Sequence, residues 1–452
     1  MADLKSNRCN DHHVFIICSL ASIAGLMYGY DFGIFSGAIP FIANQFSLNG
    51  ILLGWVVAIY LLGGAIGCLL ASYLIDKFGR KKLLIFNSFL LIVTVLGVTF
   101  LSTVETLCIW RFIRGINVGV ALVISAIYIK EISPEYLRDR MLSLMFFMLV
   151  LGFSLALVII YLFVDTDNLE SWRWMLGSAV VPAFVFYMGS LFIPETPFWL
   201  IKEDRVVEAR RVLTKLYPNE NIEEDIVAIK VRMNNMKARP LKCQHENFLS
   251  PMVDRNTILV LLLCVCSNVI LYMQMIFEDV HISFNNGLFI GMLIGIASFL
   301  CLIIGVFLRN KIRQKVFVNI LSGFMTVLLF ILAWLFQSNS VNVELVLVLF
   351  IIYICTFTFN LGSAAWEDIF KSFLNPNNKS VSISSLFFWI ASFLLILVTP
   401  YLIKVQLVNY FLLFCFLNIA NLTYAFVSMF ESSIVHAQGI ISYLENEKSV
   451  SN

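Results

Sequence analysis

Runs of about 20 consecutive apolar residues, long enough to cross the hydrocarbon core of a bilayer as a helix, recur along this sequence. Hydrophobic residues make up 60% of the chain and charged residues only 13%, a balance unlike that of a soluble globular protein. The sequence therefore predicts an all-α membrane protein with twelve transmembrane helices in two six-helix bundles, and it excludes a soluble enzyme. The predicted spans lie near residues 14–38, 51–74, 83–102, 107–129, 141–164 and 175–193, and near residues 257–277, 287–308, 316–336, 343–365, 381–403 and 408–430.

A polar stretch from about Pro197 to Asp254 separates the two groups of apolar runs. Charged residues such as Glu208 and Arg210 are interspersed there with apolar ones such as Val206, a pattern that favours short amphipathic helices on a membrane face. The predicted organisation is an amino-terminal segment, a first bundle, a linker, a second bundle and a tail, at residues 1–13, 14–196, 197–256, 257–430 and 431–452.

Lysine and arginine are distributed unequally between the two predicted membrane faces. The face opposite the linker carries only Arg173 and Lys404. Loops rich in lysine and arginine stay in the cytoplasm. Both termini and the linker are therefore expected to be cytoplasmic, in a multi-pass protein of the plasma membrane. The basic residues on the linker side are Lys77, Arg80, Lys81, Lys82, Lys130, Arg138, Arg140, Arg309, Lys311, Arg313 and Lys315, together with those of the linker itself.

The net charge, the cysteines and the absence of known catalytic motifs exclude several classes of function. The net charge is +2, so the chain has no overall field that would attract nucleic acid. Most of the ten cysteines lie inside apolar runs, where cysteine behaves as a small buried residue. No phosphate loop, catalytic triad or metal-ligand cluster stands out in the sequence. We therefore expect no enzymatic activity, cofactor, metal ion or nucleic-acid partner, and we expect a lipid bilayer as the surroundings.

Several short motifs stand at the ends of the first six apolar runs. In this order and at this spacing they resemble the sugar porters of the major facilitator superfamily, strongly over residues 14–215. The resemblance implies a secondary transporter that moves a sugar or polyol by alternating access of two helical bundles. The motifs are Gly29–Ala38, Asp76–Lys82, Arg111–Gly115, Tyr128–Pro134 with Arg138, Trp172–Met175 and Pro194–Leu200.

The second half resembles the family weakly. The loop at residues 310–315 keeps its positive charge but lacks the acid and the glycine of the signature that the family repeats there. Lys371 stands where the family has an acid, and the family's tail motif is absent. Trp366 matches the tryptophan of the tenth span.

Asp31 and Arg111 lie inside the first and the fourth predicted spans. A charge at the middle of a span costs about 2.5–3.5 kcal/mol, so both residues need an explanation. Their depths, roughly 10 Å and 6 Å from the same membrane face at about 1.5 Å per residue, allow a direct pair. The resemblance implies a proton switch, in which the acid stays ionised beside the arginine and takes up a proton away from it. The alternative is a structural ion pair that locks two helices.

Residues at the predicted cytoplasmic ends of the spans form a second candidate site. The resemblance implies that such residues form salt bridges that hold the inner gate shut. A glycine there permits a tight turn. The alternative for each charged residue is ordinary anchoring at lipid headgroups. The candidates are Asp76, Gly79, Arg80, Glu131, Arg138 and Glu195.

A sugar site needs several hydrogen-bonding groups and an aromatic face. Of the positions that bind sugar in the family, Asn268, Trp366 and Trp389 match in this sequence. The resemblance therefore predicts a cavity that is more apolar than that of a typical hexose carrier. Apolar residues occupy four other positions of that site, Phe146, Leu262, Leu263 and Phe388.

The function predicted from these patterns is transport of a hexose or polyol, with protons as the coupling ion that the resemblance implies. The motifs of the first half favour this prediction. The polar residues missing from the second half favour the alternative, a degenerate homologue that acts as a sensor or carries a less polar solute.

Overall fold

The computed structural model of this chain describes residues 11–48, 50–100, 103–164, 168, 170–217, 221–238, 270–308, 314–337, 342–360, 378–420 and 423. Within these ranges the secondary structure is helical, with no strands. Nine of the helices in the described ranges are long and apolar enough to cross a membrane, and two shorter ones are apolar as well. Together they account for eleven of the predicted spans. The seventh predicted span lies largely outside the described residues.

The first half contains seven helices that supply six spans. Helices α6 and α7 follow each other directly and form a single apolar stretch, Ser171–Phe192. The helices are α1 (Asp11–Gln45), α2 (Gly50–Phe78), α3 (Arg80–Thr99), α4 (Val104–Ile132), α5 (Glu135–Phe163), α6 (Ser171–Ser178) and α7 (Val180–Phe192).

Three short helices follow in the linker, α8 (Pro197–Lys202), α9 (Val206–Leu216) and α10 (Ile222–Ala238). Helix α9 is amphipathic, as its sequence predicts, because Ala209, Leu213 and Leu216 are buried while its charged residues face outward. Just after α9, the Tyr217 hydroxyl donates a hydrogen bond to the carbonyl oxygen of Ile132 at 2.5 Å. The linker is thereby attached to the end of α4.

The helices of the second half within the described ranges are α11 (Met273–Asp279), α12 (Phe284–Leu308), α13 (Gln314–Gln337), α14 (Val343–Asn360), α15 (Asn378–Val405) and α16 (Leu407–Ala420). We call the membrane face that carries residues 76–82, 131–138 and 194–217 the linker face. The other face, where α1, α3 and α5 end, we call the opposite face.

Glycines bring the helices of the first half into close contact. A Cβ atom added at Gly29 on α1 would collide with the carbonyl oxygen of Leu149 on α5 and lie 2.8 Å from its carbonyl carbon. Gly115 on α4 meets the backbone of Tyr60 on α2 in the same way. Small residues allow such backbone contact in lipid, where van der Waals packing drives the association of helices.

Within the described residues, the most extensive contacts between the two halves are those of α2 with α15, α5 with α12, and α1 with α11. Near the opposite face, aromatic rings meet between α1 and α12, between α2 and α15, and between α5 and α12. Their centroids lie 5.0 Å apart for Phe41–Phe284, 5.6 Å for Trp55–Phe393 and 5.5 Å for Tyr161–Phe289. These ring contacts join the two halves near the opposite face.

We expect Gly29→Ala to destabilise the protein because the new methyl group collides with backbone that cannot move aside as a side chain can. Overpacking of this kind costs about 1–3 kcal/mol. Gly189→Ala on α7 is the matched control, since its Cβ would meet only side chains, the flexible end of Leu20 at 3.1 Å and ordinary contacts with Leu20 and Ile23 at 3.6 Å. The melting temperature of the purified variants checks the prediction, which is wrong if both variants melt alike.

Candidate functional site

A buried ion pair joins α1 and α4 inside the first half. The Arg114 guanidinium binds the Asp31 carboxylate with two hydrogen bonds, Nε to Oδ2 at 2.8 Å and Nη2 to Oδ1. Both side chains are only 7% exposed. The Tyr60 hydroxyl on α2 donates a longer bond of 3.3 Å to Oδ2. Three helices therefore meet at one carboxylate, and the two-bonded geometry is the strong form of an arginine–carboxylate pair.

Arg111 occupies the same region but has different contacts. Its guanidinium carbon lies 3.2 Å from the centre of the Phe35 ring and 5.3 Å from that of Tyr60. Its Nη2 atom donates a long hydrogen bond of 3.4 Å to the carbonyl oxygen of Val57. Its Nε atom is buried and has no hydrogen-bond partner among the described residues. Cation–π contacts with two rings thus hold this arginine in place.

The structure therefore gives Asp31 a different arginine from the one that the resemblance implies. Arg111 and Arg114 are three residues apart on α4, so both side chains lie on the same face of that helix. Arg114 lies within a predicted span, as Asp31 and Arg111 do. The cost of placing its charge in the membrane is the sequence signal that could have identified it as a candidate site residue. The role of Asp31 and Arg111 in proton coupling stays a prediction.

A small cavity of about 30 Å³ lies beside this cluster. A water molecule needs at least about 10–15 Å³ by this measure, so the cavity has room for about two waters and is far too small for a sugar. Two of its apolar residues, Leu271 and Ile396, belong to the second half of the chain. The lining residues are Asp31, Phe32, Phe35, Val57, Tyr60, Leu61, Val95, Val98, Arg111, Arg114, Leu176, Leu271 and Ile396.

Trp389, a predicted sugar contact, lies on α15 where it packs against α2. It is only 2% exposed, and its indole N–H donates a hydrogen bond of 3.1 Å to the thiol of Cys68. Its ring packs edge-on against Tyr28 and Tyr60 of the first half, at 5.4 and 6.4 Å between centroids. A Cβ atom at Gly64 would lie 2.6 Å from the ring, so only glycine leaves room for it. Trp389 therefore connects the two halves directly beside the residues that surround Asp31.

The other two predicted sugar contacts, Asn268 and Trp366, lie outside the described residues. Two positions that differ from the family pattern are described. Phe146 on α5 is buried, at 4% exposed, and Phe388 packs beside the Trp389 ring at 5.5 Å. Ser298 on α12 is also buried, and its hydroxyl has no hydrogen-bond partner among the described residues.

Four of the predicted gate residues meet at the linker face. Arg80 at the start of α3 is 1% exposed and pairs with Glu131 at the end of α4, at 2.7 Å. The Glu195 carboxylate accepts hydrogen bonds from the backbone N–H groups of Arg80 at 3.0 Å, Lys81 at 3.1 Å and Thr196 at 3.0 Å. Burial raises the pKa of the Glu195 carboxyl, and the three N–H groups act in the other direction.

Gly79 allows this arrangement. Its φ of 84° lies in the left-handed region that glycine adopts without strain. A Cβ atom there would also lie 2.7 Å from Oε2 of Glu195 and 3.0 Å from the Trp199 ring. The turn between α2 and α3 therefore presents its backbone N–H groups to Glu195 because no side chain stands in the way.

The other two predicted gate residues have different partners. Asp76 pairs with Lys202 of α8 at 3.1 Å, and both side chains are partly exposed. Arg138 pairs with Glu135, one turn earlier on its own helix, at 3.7 Å. Neither contact crosses from one half of the chain to the other. The ion pairs of this face within the described residues hold together the first half and its linker.

Comparison with known proteins places the chain in a family. A family model described as "Sugar (and other) transporter" matches residues 17–440. The D-xylose transporter of Levilactobacillus brevis is 32% identical over 394 residues, which cover 84% of this chain and 85% of the relative. The arabinose-proton symporter of Bacillus subtilis (strain 168) is 28% identical over 390 residues, 83% of each chain.

Solved structures show the same fold. The xylose transporter XylE from E. coli, in a partially occluded inward open conformation, matches with a TM-score of 0.80 at 23% identity, over 92% of this chain and 97% of XylE. The proton:xylose symporter XylE bound to 6-bromo-6-deoxy-D-glucose, a member of the major facilitator superfamily, matches with a TM-score of 0.78 at 23% identity, over 92% and 96%. The fold is therefore the predicted one, two six-helix bundles of the major facilitator type. The chain belongs to the sugar transporter family and is a membrane transporter, not an enzyme.

Proposed function

We propose that this protein is a secondary transporter that moves a monosaccharide or polyol across a membrane by alternating access, coupled to protons. The observation that carries the proposal is the Asp31–Arg114 ion pair, a buried charge pair in the middle of a fold shared with proton-coupled sugar carriers. Names of relatives, among them a D-xylose transporter and an arabinose-proton symporter, support a sugar as the solute.

Alternating access requires two bodies that rock against each other. Among the described residues, ring contacts between the halves lie near the opposite face, around Trp389 and at Phe147–Phe299, whereas the ion pairs of the linker face lie within the first half and its linker. This arrangement supports a first bundle that moves as a unit, with the solute path opening toward the linker face. The gate residues Asp76, Gly79, Arg80, Glu131, Arg138 and Glu195 would stiffen that bundle where it must hold its shape.

Protonation of Asp31 would couple the proton to this motion. A carboxylate that accepts two bonds from Arg114 and one from Tyr60 ties three helices together. A protonated carboxyl loses its charge attraction for the guanidinium, and the pair weakens at the point where α1, α2 and α4 meet. Arg111 lies one turn away as a second partner for the carboxylate. Coupling would then depend on which arginine Asp31 faces.

The sugar would bind between the bundles, with Trp389 and Trp366 as aromatic faces and Asn268 as a hydrogen-bonding group. The buried hydroxyl of Ser298, without a partner among the described residues, supports a polar ligand beside α12.

A second candidate function is transport of a less polar solute, which the aromatic residues Phe146 and Phe388 favour. The protein would lie in the plasma membrane, with its linker face toward the cytoplasm.

Uptake by the purified protein in liposomes tests the proposal. We expect labelled xylose, arabinose or galactose to accumulate when the outside is acidic, and accumulation to collapse when the proton gradient is removed. Asp31→Asn should abolish accumulation and leave exchange of sugar partly intact, since it mimics the protonated acid. Asp11→Asn, an exposed acid on the same helix, is the control. Accumulation of sugar by the Asp31→Asn variant would contradict the coupling role. Uptake that does not depend on the proton gradient would identify a facilitator.

The linker-face network is tested by Gly79→Ala. The added methyl group is strained at a φ of 84° and displaces the Glu195 carboxylate from its N–H donors. We expect a loss of stability of about 1–3 kcal/mol and a matching loss of transport. Glu223→Gln breaks an exposed pair with Arg210 and should change stability by less than about 1 kcal/mol. Equal melting temperatures in the two variants would rule out a structural role for the Gly79 turn.

Orientation is tested with single cysteines at Asn168, on the opposite face, and at Asn221, in the linker. In intact cells, a membrane-impermeant maleimide should label the cysteine at 168 and leave the one at 221 unlabelled. Permeabilised cells, in which both should react, are the control. The reverse pattern in intact cells would place the linker outside.

A further inference from the structure

The cluster around Asp31 has an unbalanced charge. Three of the described lining residues have formally charged side chains, the acid Asp31 and the bases Arg111 and Arg114. Among the described residues, the other titratable groups next to the cluster are the Cys108 thiol and four tyrosines, and both types are uncharged in their ordinary state. The tyrosines are Tyr28, Tyr30, Tyr60 and Tyr272. Counted over the described residues, the formal charges of the cluster sum to +1.

The excess charge belongs to Arg111. Arg114 binds both oxygens of Asp31, the only carboxylate among the described lining residues. The contacts of Arg111 within the described residues are two aromatic rings and one long hydrogen bond to a carbonyl oxygen. Its side chain is nine-tenths buried, lines the cavity, and has an Nε–H group without a partner among the described residues. Aromatic faces attract a cation, but they do not neutralise it. A buried guanidinium of this kind is stabilised by an anion that accepts its hydrogen bonds.

We propose that this cavity is a binding site for a small monovalent anion such as chloride, held by Arg111 beside the Asp31–Arg114 pair. The room available, that of about two water molecules, fits a monatomic ion and excludes a sugar acid. The Tyr60 ring and the apolar lining remove competing water. The cavity borders both halves of the chain but is too small for a sugar, so the anion site is proposed whether or not the protein transports sugar.

The net charge of the cluster predicts how tightly each variant binds the anion. Arg111→Gln removes the ligand group and brings the cluster to a net charge of zero. Arg114→Leu also brings it to zero, and it frees Asp31 to pair with Arg111, so either variant should lose the anion. Asp31→Asn raises the net charge to +2 and should bind the anion more tightly than the parent protein does.

The test is thermal stability of the purified protein at constant ionic strength, in sodium chloride against sodium gluconate, whose anion is too large for the cavity. We expect chloride to raise the melting temperature of the parent by about 2–4 °C, as a bound ligand does. Bromide should act in the same way as chloride. The shift should vanish in Arg111→Gln and Arg114→Leu, and it should saturate at a lower chloride concentration in Asp31→Asn.

Arg210→Gln, which changes an exposed arginine of the linker, is the matched control and should keep the full shift. An equal chloride shift in all five proteins would reveal a general salt effect and overturn the proposal. So would a parent protein that is indifferent to chloride. If one of the arginine variants fails to fold, the chloride response of the other variant and of Asp31→Asn still tests the proposal. Bromide located by anomalous scattering beside Arg111 would confirm the site directly.

Discussion

The cost of placing charge in a bilayer governs this structure. Asp31, Arg111 and Arg114 each carry a penalty of about 2.5–3.5 kcal/mol at the middle of a span. The Asp31–Arg114 pair offsets that penalty only if α1 and α4 stay in contact, because each charge has lost its water and depends on the other for stabilisation. The glycines of α1, α2 and α4 make this contact possible because they let backbone approach backbone around the pair. The first bundle is thus built so that one carboxylate can be held by three helices.

The same constraint explains how the halves are joined. Trp389 fills the space between α15 and α2, against Gly64, and places its ring beside Tyr28 and Tyr60. Tyr60 in turn binds Asp31 through its hydroxyl. A change in the charge of Asp31 therefore has a physical route to the bundle interface, through one hydrogen bond and one ring contact.

Much of this architecture could be predicted from the sequence, because apolar runs of span length and their loop charges are local signals. The linker helices and the Gly79 turn could also be predicted from local sequence signals. The partner of Asp31 could not be predicted, since Arg111 and Arg114 share a face of α4 and only the rotation of α1 against α4 selects one of them. The bond from Trp389 to Cys68 was equally inaccessible, because it depends on how two distant helices meet. Asn268 and Trp366 lie outside the described residues, so their part in the site stays a prediction.

Two arginines on one helix face change what protonation of a single acid can do. With one arginine, a proton on Asp31 would leave one unpaired positive charge. With two, it leaves Arg111 and Arg114 as like charges one turn apart on α4, and they cannot separate because the helix holds them. The response must then come from other elements, which are α1 with Asp31, α2 with Tyr60, or an anion drawn in beside Arg111. Since α1 and α2 are also the helices that contact α11 and α15, the strain would reach the interface where the two halves move.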